Sequence, residues 1–358
     1  MSAASAPTDR PHVVLVTPSF FGYEEAIAAA FVDAGADITV IDERPSNSSW
    51  VKAATRIRPA LIGVLIRRHY RRQLAALAGR RVDELIIVKG EVVPAWFVAE
   101  LRAANPGLVV VFYAYDSFAN SPRGEMFVEI ADVALTFDRD DVERYRTRQI
   151  RPGTDGGSAD GSGPTLGYLP LFFTSEFAPG VPLAERPYDL GFVGTVHSGR
   201  YDVCRRLAPA GERHDYFFFS PARWHHAYTW LRQRDIRTIP WSDVSFTKRS
   251  RADVARSFAA ARAVIDVPRT GQVGLTMRTF EVLASGTKLI TTNHRVRDED
   301  FFDPRWILVL DPDPTGWDLD VVRAFVADPT MPPSEAIRPY GLDRWVARFL
   351  ELLPAGSR

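Results

Sequence analysis

The chain has 358 residues, and its 44 Lys and Arg balance its 44 Asp and Glu. At roughly 100–200 residues per domain this length holds two domains, and 46% hydrophobic with 25% charged residues excludes intrinsic disorder over most of it. Neutrality excludes a protein whose main work is coating nucleic acid, which needs surplus cations to displace counterions from phosphates.

Residues 1–11 form a short polar tail without the apolar core of a signal peptide. The run 12–17 (HVVLVT) reads as a strand ending at Pro18, Gly22 and Tyr23, and a helix follows over 24–34 until Gly35 stops it. Strands are predicted at 37–42 (DITVID), 82–89 (VDELIIVK, closed by Gly90), 108–115 (LVVVFYAY) and 133–137 (VALTF), with helices at 94–104 and 138–148. Continuous apolar strands alternating with helices indicate a parallel sheet covered on both faces. Residues 151–164 (RPGTDGGSADGSGP) carry no Val, Ile, Leu or Met and read as a flexible insertion.

A second alternation begins at 188–196 (YDLGFVGTV). Further strands are expected at 215–220, 263–267, 288–292 and 306–311, with helices at 251–262, 278–284 and 342–353. The fold class is therefore α/β, with two Rossmann-like, doubly wound domains facing a cleft. The first domain spans 12–173 and the second 188–333. A proline-bearing hinge covers 174–187, and a C-terminal segment, 334–358, packs back on the first domain. In such sheets ligands bind beyond the carboxyl ends of the strands, so chemistry is sought there.

The richest segment is 264–293, VIDVPRTGQVGLTMRTFEVLASGTKLITTN. A strand ends at Asp266, a loop carries Gly271 and Gly274, and Thr276-Met277-Arg278-Thr279 opens a helix carrying Glu281. Backbone N–H groups at a helix start suit a phosphate, and Arg278 supplies a cationic fork for a diphosphate. Glu281 can accept hydrogen bonds from a ribose diol. The bland alternative is that Thr276 or Thr279 caps the helix and Glu281 faces solvent.

In the first half, Lys89 and Glu91 end one strand and Asp116 another. Asp116 and Glu91 are the candidates for taking a proton from an acceptor hydroxyl. Ion pairs of Lys89 that only brace the sheet end are the alternative. Gly22 and Tyr23 can let backbone approach a ligand or form a plain turn. Residues 66–81 carry six arginines interleaved with Ile66, Tyr70, Leu74 and Leu77. That segment is either an amphipathic contact with an anionic membrane or a solvated helix face. His225-His226 cannot form an i, i+4 zinc pair, the acids at 138–141 suit a helix start, and no metal or resident cofactor is expected. The lone cysteine, Cys204, excludes an intrachain disulfide. No window of about 18 apolar residues occurs. A cytoplasmic protein is expected, at the inner face of the membrane if the basic segment binds there.

The run GLTMRTFEVLASGTKLITTN resembles the donor-binding segment of GT-B glycosyltransferases. It is most similar to the bacterial group related to the spore-maturation protein CgeB and to lipopolysaccharide and capsule biosynthesis transferases. VKGE (88–91), YAYDS (113–117), LTFDRDDVERY (135–145) and YDLGFVGTVHSGRYDV (188–203) resemble the same group in order and spacing. The resemblance implies a nucleotide-sugar donor on the second domain and a glycan or lipid-linked acceptor on the first. It places Glu281 at the donor ribose and Arg278 at a phosphate. It sets Gly194 and Thr195 near the diphosphate, with His197 and Arg200 adding charge. Eight residues before Glu281 stands Val273, where many members have an acid. The retaining mechanism is therefore not carried over. A sugar-nucleotide epimerase and a non-catalytic nucleotide-sugar-binding protein remain as alternatives.

Overall fold

The computed structural model describes residues 10–20, 22–46, 62–150, 165–197, 199–269 and 273–354. The expected insertion at 151–164 and most of the expected tail lie outside them. The chain divides into two compact units: residues 1–169 with 346–358, and residues 170–345.

The first unit holds strands β1 (His12–Thr17), β2 (Asp37–Asp42), β3 (Glu84–Val88), β4 (Val109–Ala114), β5 (Val133–Thr136) and β6 (Leu166–Tyr168). They form one all-parallel sheet in the order β2-β1-β3-β4-β5-β6. Every residue of β1 and β3 is buried, as expected for strands sandwiched between helical layers. β2, at the sheet edge, buries fully only Ile41.

Helix Gly63–Leu77 packs Ile66, Tyr70 and Leu77 into this unit's core. The Tyr70 ring lies 4.8 Å from that of Phe97, and its hydroxyl donates to the Glu43 carbonyl at 3.0 Å. Arg71 pairs with Glu100, Arg80 with Asp37, and Arg81 with Asp83. The apolar side on which the amphipathic membrane reading of 66–81 relies is thus spent on the core. The helix is amphipathic because its apolar side builds the core, so that side cannot enter a bilayer.

The second unit holds β7 (Tyr188–Thr195), β8 (His214–Phe219), β9 (Val244–Ser245), β10 (Ala261–Asp266), β11 (Lys288–Thr291) and β12 (Ile307–Val309). Its parallel sheet has the order β12-β11-β10-β7-β8-β9. Helix Met277–Ala284 ends on Gly286 at φ 63°. There Gly286 N–H donates to the Leu283 carbonyl and Thr287 N–H to that of Val282. This closing motif needs a left-handed residue, and glycine takes that conformation without a Cβ penalty.

The proline-bearing stretch expected to act as a hinge lies inside the second unit. Arg186, 1% exposed, donates to the carbonyls of Val181, Ala261, Ser285 and Gly286 and to the Thr287 hydroxyl. The last helix, Leu342–Glu351, begins in the second unit and ends in the first, where Phe349 meets Phe31 edge to face at 5.6 Å. Among the described residues no helix is long and apolar enough to cross a membrane.

Candidate functional site

Each sheet has one point where the strand order reverses. In the second unit it lies between β7 and β10, and in the first between β1 and β3. Loops diverge there and leave a crevice at the carboxyl ends of the strands, the usual ligand site of open α/β sheets. Most of the residues singled out from the sequence follow the strands that flank these two points, while Asp116 follows β4, one strand further along.

In the second unit, Asp266 ends β10 and is 1% exposed. Arg278 Nη1 pairs with its Oδ1 at 2.6 Å, and the hydroxyls of Thr276 and Thr279 donate to its Oδ2 at 3.0 and 3.2 Å. Thr276 occupies the N-cap position of helix Met277–Ala284, yet its side chain does not cap. Its hydroxyl is spent on Asp266. Arg278 also donates through Nε and Nη2 to the Val193 carbonyl on β7, and its guanidinium lies 5.2 Å from the Phe192 ring centre. Three of five guanidinium N–H groups are thus committed to protein acceptors. The fork clasps β7 to β10 and offers a ligand only its remaining edge.

Arg200 opens helix Arg200–Leu207 and is 7% exposed. It donates to the Val267 and Thr195 carbonyls, to the Thr195 hydroxyl, and to Nε2 of His197 at 3.0 Å. Burial, and next the charge of Arg278, lowers its pKa to about 9. It therefore stays charged near neutrality. His197 is held to about 3 by burial first, then by Arg200, Arg269 and Arg278, so it is a neutral acceptor. Three arginines thus act on this one imidazole; Arg269 among them is exposed, and Asp266 is the carboxylate that answers the more buried Arg200 and Arg278. A surplus of buried positive charge is costly unless an anion balances it.

Gly194 makes the arrangement possible. A Cβ there would stand 2.7 Å from Phe192 Cζ and 2.9 Å from Arg278 Nη2. Gly194→Ala is expected to cost about 1–3 kcal/mol by overpacking and to push Arg278 off the Val193 carbonyl, read by thermal melting and a crystal structure of the variant. An unchanged melting temperature would show that Arg278 is not held there. Gly274 lies in the loop before helix Met277–Ala284. Asn293, which the sequence reading missed, follows β11 and donates to the carbonyls of Val273 and Gly274 at 2.9 and 3.4 Å. It sat at the end of a recognised strand, which was the available signal. Gly271 lies outside the described residues. Glu281 is 5% exposed, on the buried side of its helix rather than in solvent.

In the first unit, Lys89 follows β3 with φ 74°, the only non-glycine described residue at positive φ, and Gly90 follows at 68°. A left-handed lysine costs of order 1 kcal/mol. The turn sends Lys89 Nζ to Asp116 Oδ2 at 2.8 Å. Glu91 pairs with Arg44 at 2.7 Å. Both proposed proton acceptors are thus held by cations. Gly22, at φ 77°, precedes helix Tyr23–Asp33, and Tyr23 stacks on Phe20.

The sequence reading missed Glu43, directly after β2. It is fully buried, its Oε2 accepts the Glu91 N–H at 2.9 Å, and its Oε1 has no hydrogen-bond partner. Burial raises its pKa to about 7 against the lowering effect of Arg44, with Glu91 adding to the rise.

Among the described residues no cluster of three His, Cys, Asp or Glu can hold a metal ion. His226 is fully buried against Trp241 and Phe246. Cys204 is fully buried, and burial pushes its thiol pKa up, which removes it as a nucleophile.

Solved structures decide the architecture. Sucrose-phosphate synthase from Thermosynechococcus elongatus superposes with TM-score 0.63 at 13% identity, covering 96% of this chain and 98% of that one. HepE from Anabaena, solved in complex with UDP and glucose, gives 0.60 at 10% identity over 96% and 100%. A trehalose-phosphate synthase from Burkholderia xenovorans, in complex with glucose-6-phosphate, gives 0.57 at 14% identity over 95% and 99%. The chain has the GT-B fold. Residues 207–331 match the family described as glycosyl transferase-like. That GT-B segment contains Asp266, Arg278 and Glu281 but not the β7 residues that Arg278 clasps. No curated protein matches the chain.

Proposed function

We propose that the protein is a glycosyltransferase that moves a sugar from a nucleotide-sugar donor to a glycan or lipid-linked acceptor. The observation that carries this reading is the arginine surplus at the β7/β10 switch point. Arg200 and Arg278 converge there on strand ends and on the starts of two helices, with one carboxylate between them. That is the electrostatic setting for a departing diphosphate. Fixed cations and helix N-termini stabilise the charge that develops as the glycosidic bond breaks, without a required metal or resident cofactor. The matched segment and the shared fold support the same reading.

In this assignment Gly194, Thr195, His197, Arg200, Gly274, Thr276, Arg278 and Thr279 line the donor diphosphate side, and Glu281 receives the ribose hydroxyls. Lys89, Gly22 and Tyr23 belong to the acceptor side. Asp116 or Glu91 takes the acceptor proton as a hexosyl group is transferred. Membership in the CgeB-like group, a place in cell-surface polysaccharide synthesis and a cytoplasmic location are parts of the same proposal.

The test is release of nucleoside diphosphate from a donor, with and without acceptor mixtures and in the presence of a chelator. Acceptor-dependent release supports a transferase. Isomerised sugar from donor alone would instead make it an epimerase. Glu281→Ala is expected to weaken donor binding by about 10- to 100-fold, the worth of a charged hydrogen-bond pair, measured beside its ligand-free melting temperature. Wild-type affinity in that variant would end its assignment to the ribose.

A further inference from the structure

Helix Arg223–Arg232 of the second unit buries one side only. His226 faces inward and is fully buried, while Trp224, Tyr228 and Leu231 are 57%, 50% and 64% exposed. These three stand at i, i+4 and i+7, so they form one continuous outward ridge. Trp230 and Trp241 add further exposed ring surface. Single exposed apolar residues need no explanation, but a grouped set of large ones marks an interaction surface.

The charge around the ridge says what it meets. The whole chain is neutral, yet residues 223–237 carry four arginines against one aspartate. Arg223, Arg232, Arg234 and Arg237 are all exposed. Arg232 lies over the Tyr228 ring at 5.0 Å and Arg223 over Phe246 at 5.0 Å. Their guanidinium groups therefore rest against aromatic rings while both residues stay exposed, so arginine charge and ring surface share one face that can meet phosphate. Tryptophan and tyrosine carry an apolar body with a polar tip, which suits the depth of lipid headgroups. An outward ridge of such residues flanked by arginine matches an anionic bilayer interface better than it matches an apolar protein groove.

We propose that the Trp224, Tyr228 and Leu231 ridge, with Arg223, Arg232 and Arg234, is a docking surface for an anionic lipid bilayer. The surface is separate from the residues assigned to the donor and does not depend on that assignment. It also differs from segment 66–81, whose apolar side is committed to the first unit's core.

The experiment is co-sedimentation of the full chain with phosphatidylcholine vesicles, with and without phosphatidylglycerol, while tryptophan emission is recorded. Binding only to the anionic vesicles is expected, with a blue shift of emission and weakening as salt rises. Trp224→Ser combined with Leu231→Ser is expected to reduce partitioning by at least about tenfold, and Arg232→Glu with Arg234→Glu by a similar factor. All four positions are exposed, so melting temperatures should stay at the wild-type value. Arg67→Glu with Arg68→Glu, on the other basic helix, should leave partitioning unchanged. The proposal is overturned by no binding of the wild type at low salt, by equal binding of the ridge variant, or by loss of binding only in the Arg67/Arg68 variant. Self-association that the ridge variant abolishes, with no response to vesicles, would also overturn it by making a second copy the occupant.

Discussion

Arg278→Ala is expected to lower stability by about 3–5 kcal/mol, because it strips a buried carboxylate of its charge partner. Asp266 is 1% exposed and would keep only the hydroxyls of Thr276 and Thr279. The same change removes both side-chain donors to Val193, so the carboxyl end of β7 loses its tie to Asp266 while the two strands stay paired. Adding Asp266→Ala should restore part of the stability, since no unpaired charge then remains. It should not restore binding of a nucleotide sugar, which needs the cation. Denaturant melts of the two single variants and the double variant, each with and without donor, separate these effects. If Arg278→Ala loses stability yet binds donor normally, the arginine is a structural clasp and nothing more.

Glu43→Gln should stabilise the protein at about pH 8 by roughly 1–3 kcal/mol and leave it unchanged near pH 4.5. The folded pKa of Glu43, about 7, stands above its ordinary value of 4.5 because of burial. The folded state therefore holds a proton that the unfolded chain has released across that interval. This contribution is fully present below about 4.5 and is lost as pH rises through about 7. Glutamine keeps an oxygen for the Glu91 N–H and never ionises, so the variant escapes the loss. His197 works in the opposite sense, because its pKa is depressed to about 3. Its contribution is present above about 6.5 and falls away as pH drops toward 3. The difference between wild type and Glu43→Gln cancels the histidine and isolates the carboxyl. A difference independent of pH would mean that Glu43 is ionised throughout.

The strands were legible because they are nearly unbroken apolar runs. β1 and β2 span 12–17 and 37–42, the bounds read from the sequence. β9 was not legible, since two residues, Val244 and Ser245, carry no period. Helix Leu319–Ala327 was also passed over, although Asp318 caps it by accepting from the N–H groups of Asp320 and Val321. The polar Asp-Pro run before it hides the start. Helical periodicity at 66–81 was real, but periodicity reports an apolar side without saying what covers it. In that helix the side is core, while the ridge of helix Arg223–Arg232 is exposed.

The candidate site was legible by position and not by partner. Arg278 was found because a glycine-bearing loop and a helix start follow a recognised strand, and Gly194 and Arg200 through the resemblance of their segment to GT-B glycosyltransferases. The pairing of Arg278 with Asp266 spans 12 residues and a loop, a contact no local spacing encodes. Glu43 was missed for a related reason. Its burial comes from Tyr70, Arg44 and Glu91, which the sequence sets up to 48 residues away. One sign was present: an acid directly after a strand next to the switch point.

The central claim is a nucleotide-sugar site at the switch point of the second unit. Calorimetric titration of the full chain with UDP-, GDP-, dTDP- and ADP-sugars tests it most directly. One nucleotide class is predicted to bind at one site per chain, and Arg278→Ala is predicted to abolish that heat. Absence of binding by any of the four, with the wild-type protein folded, would contradict the account.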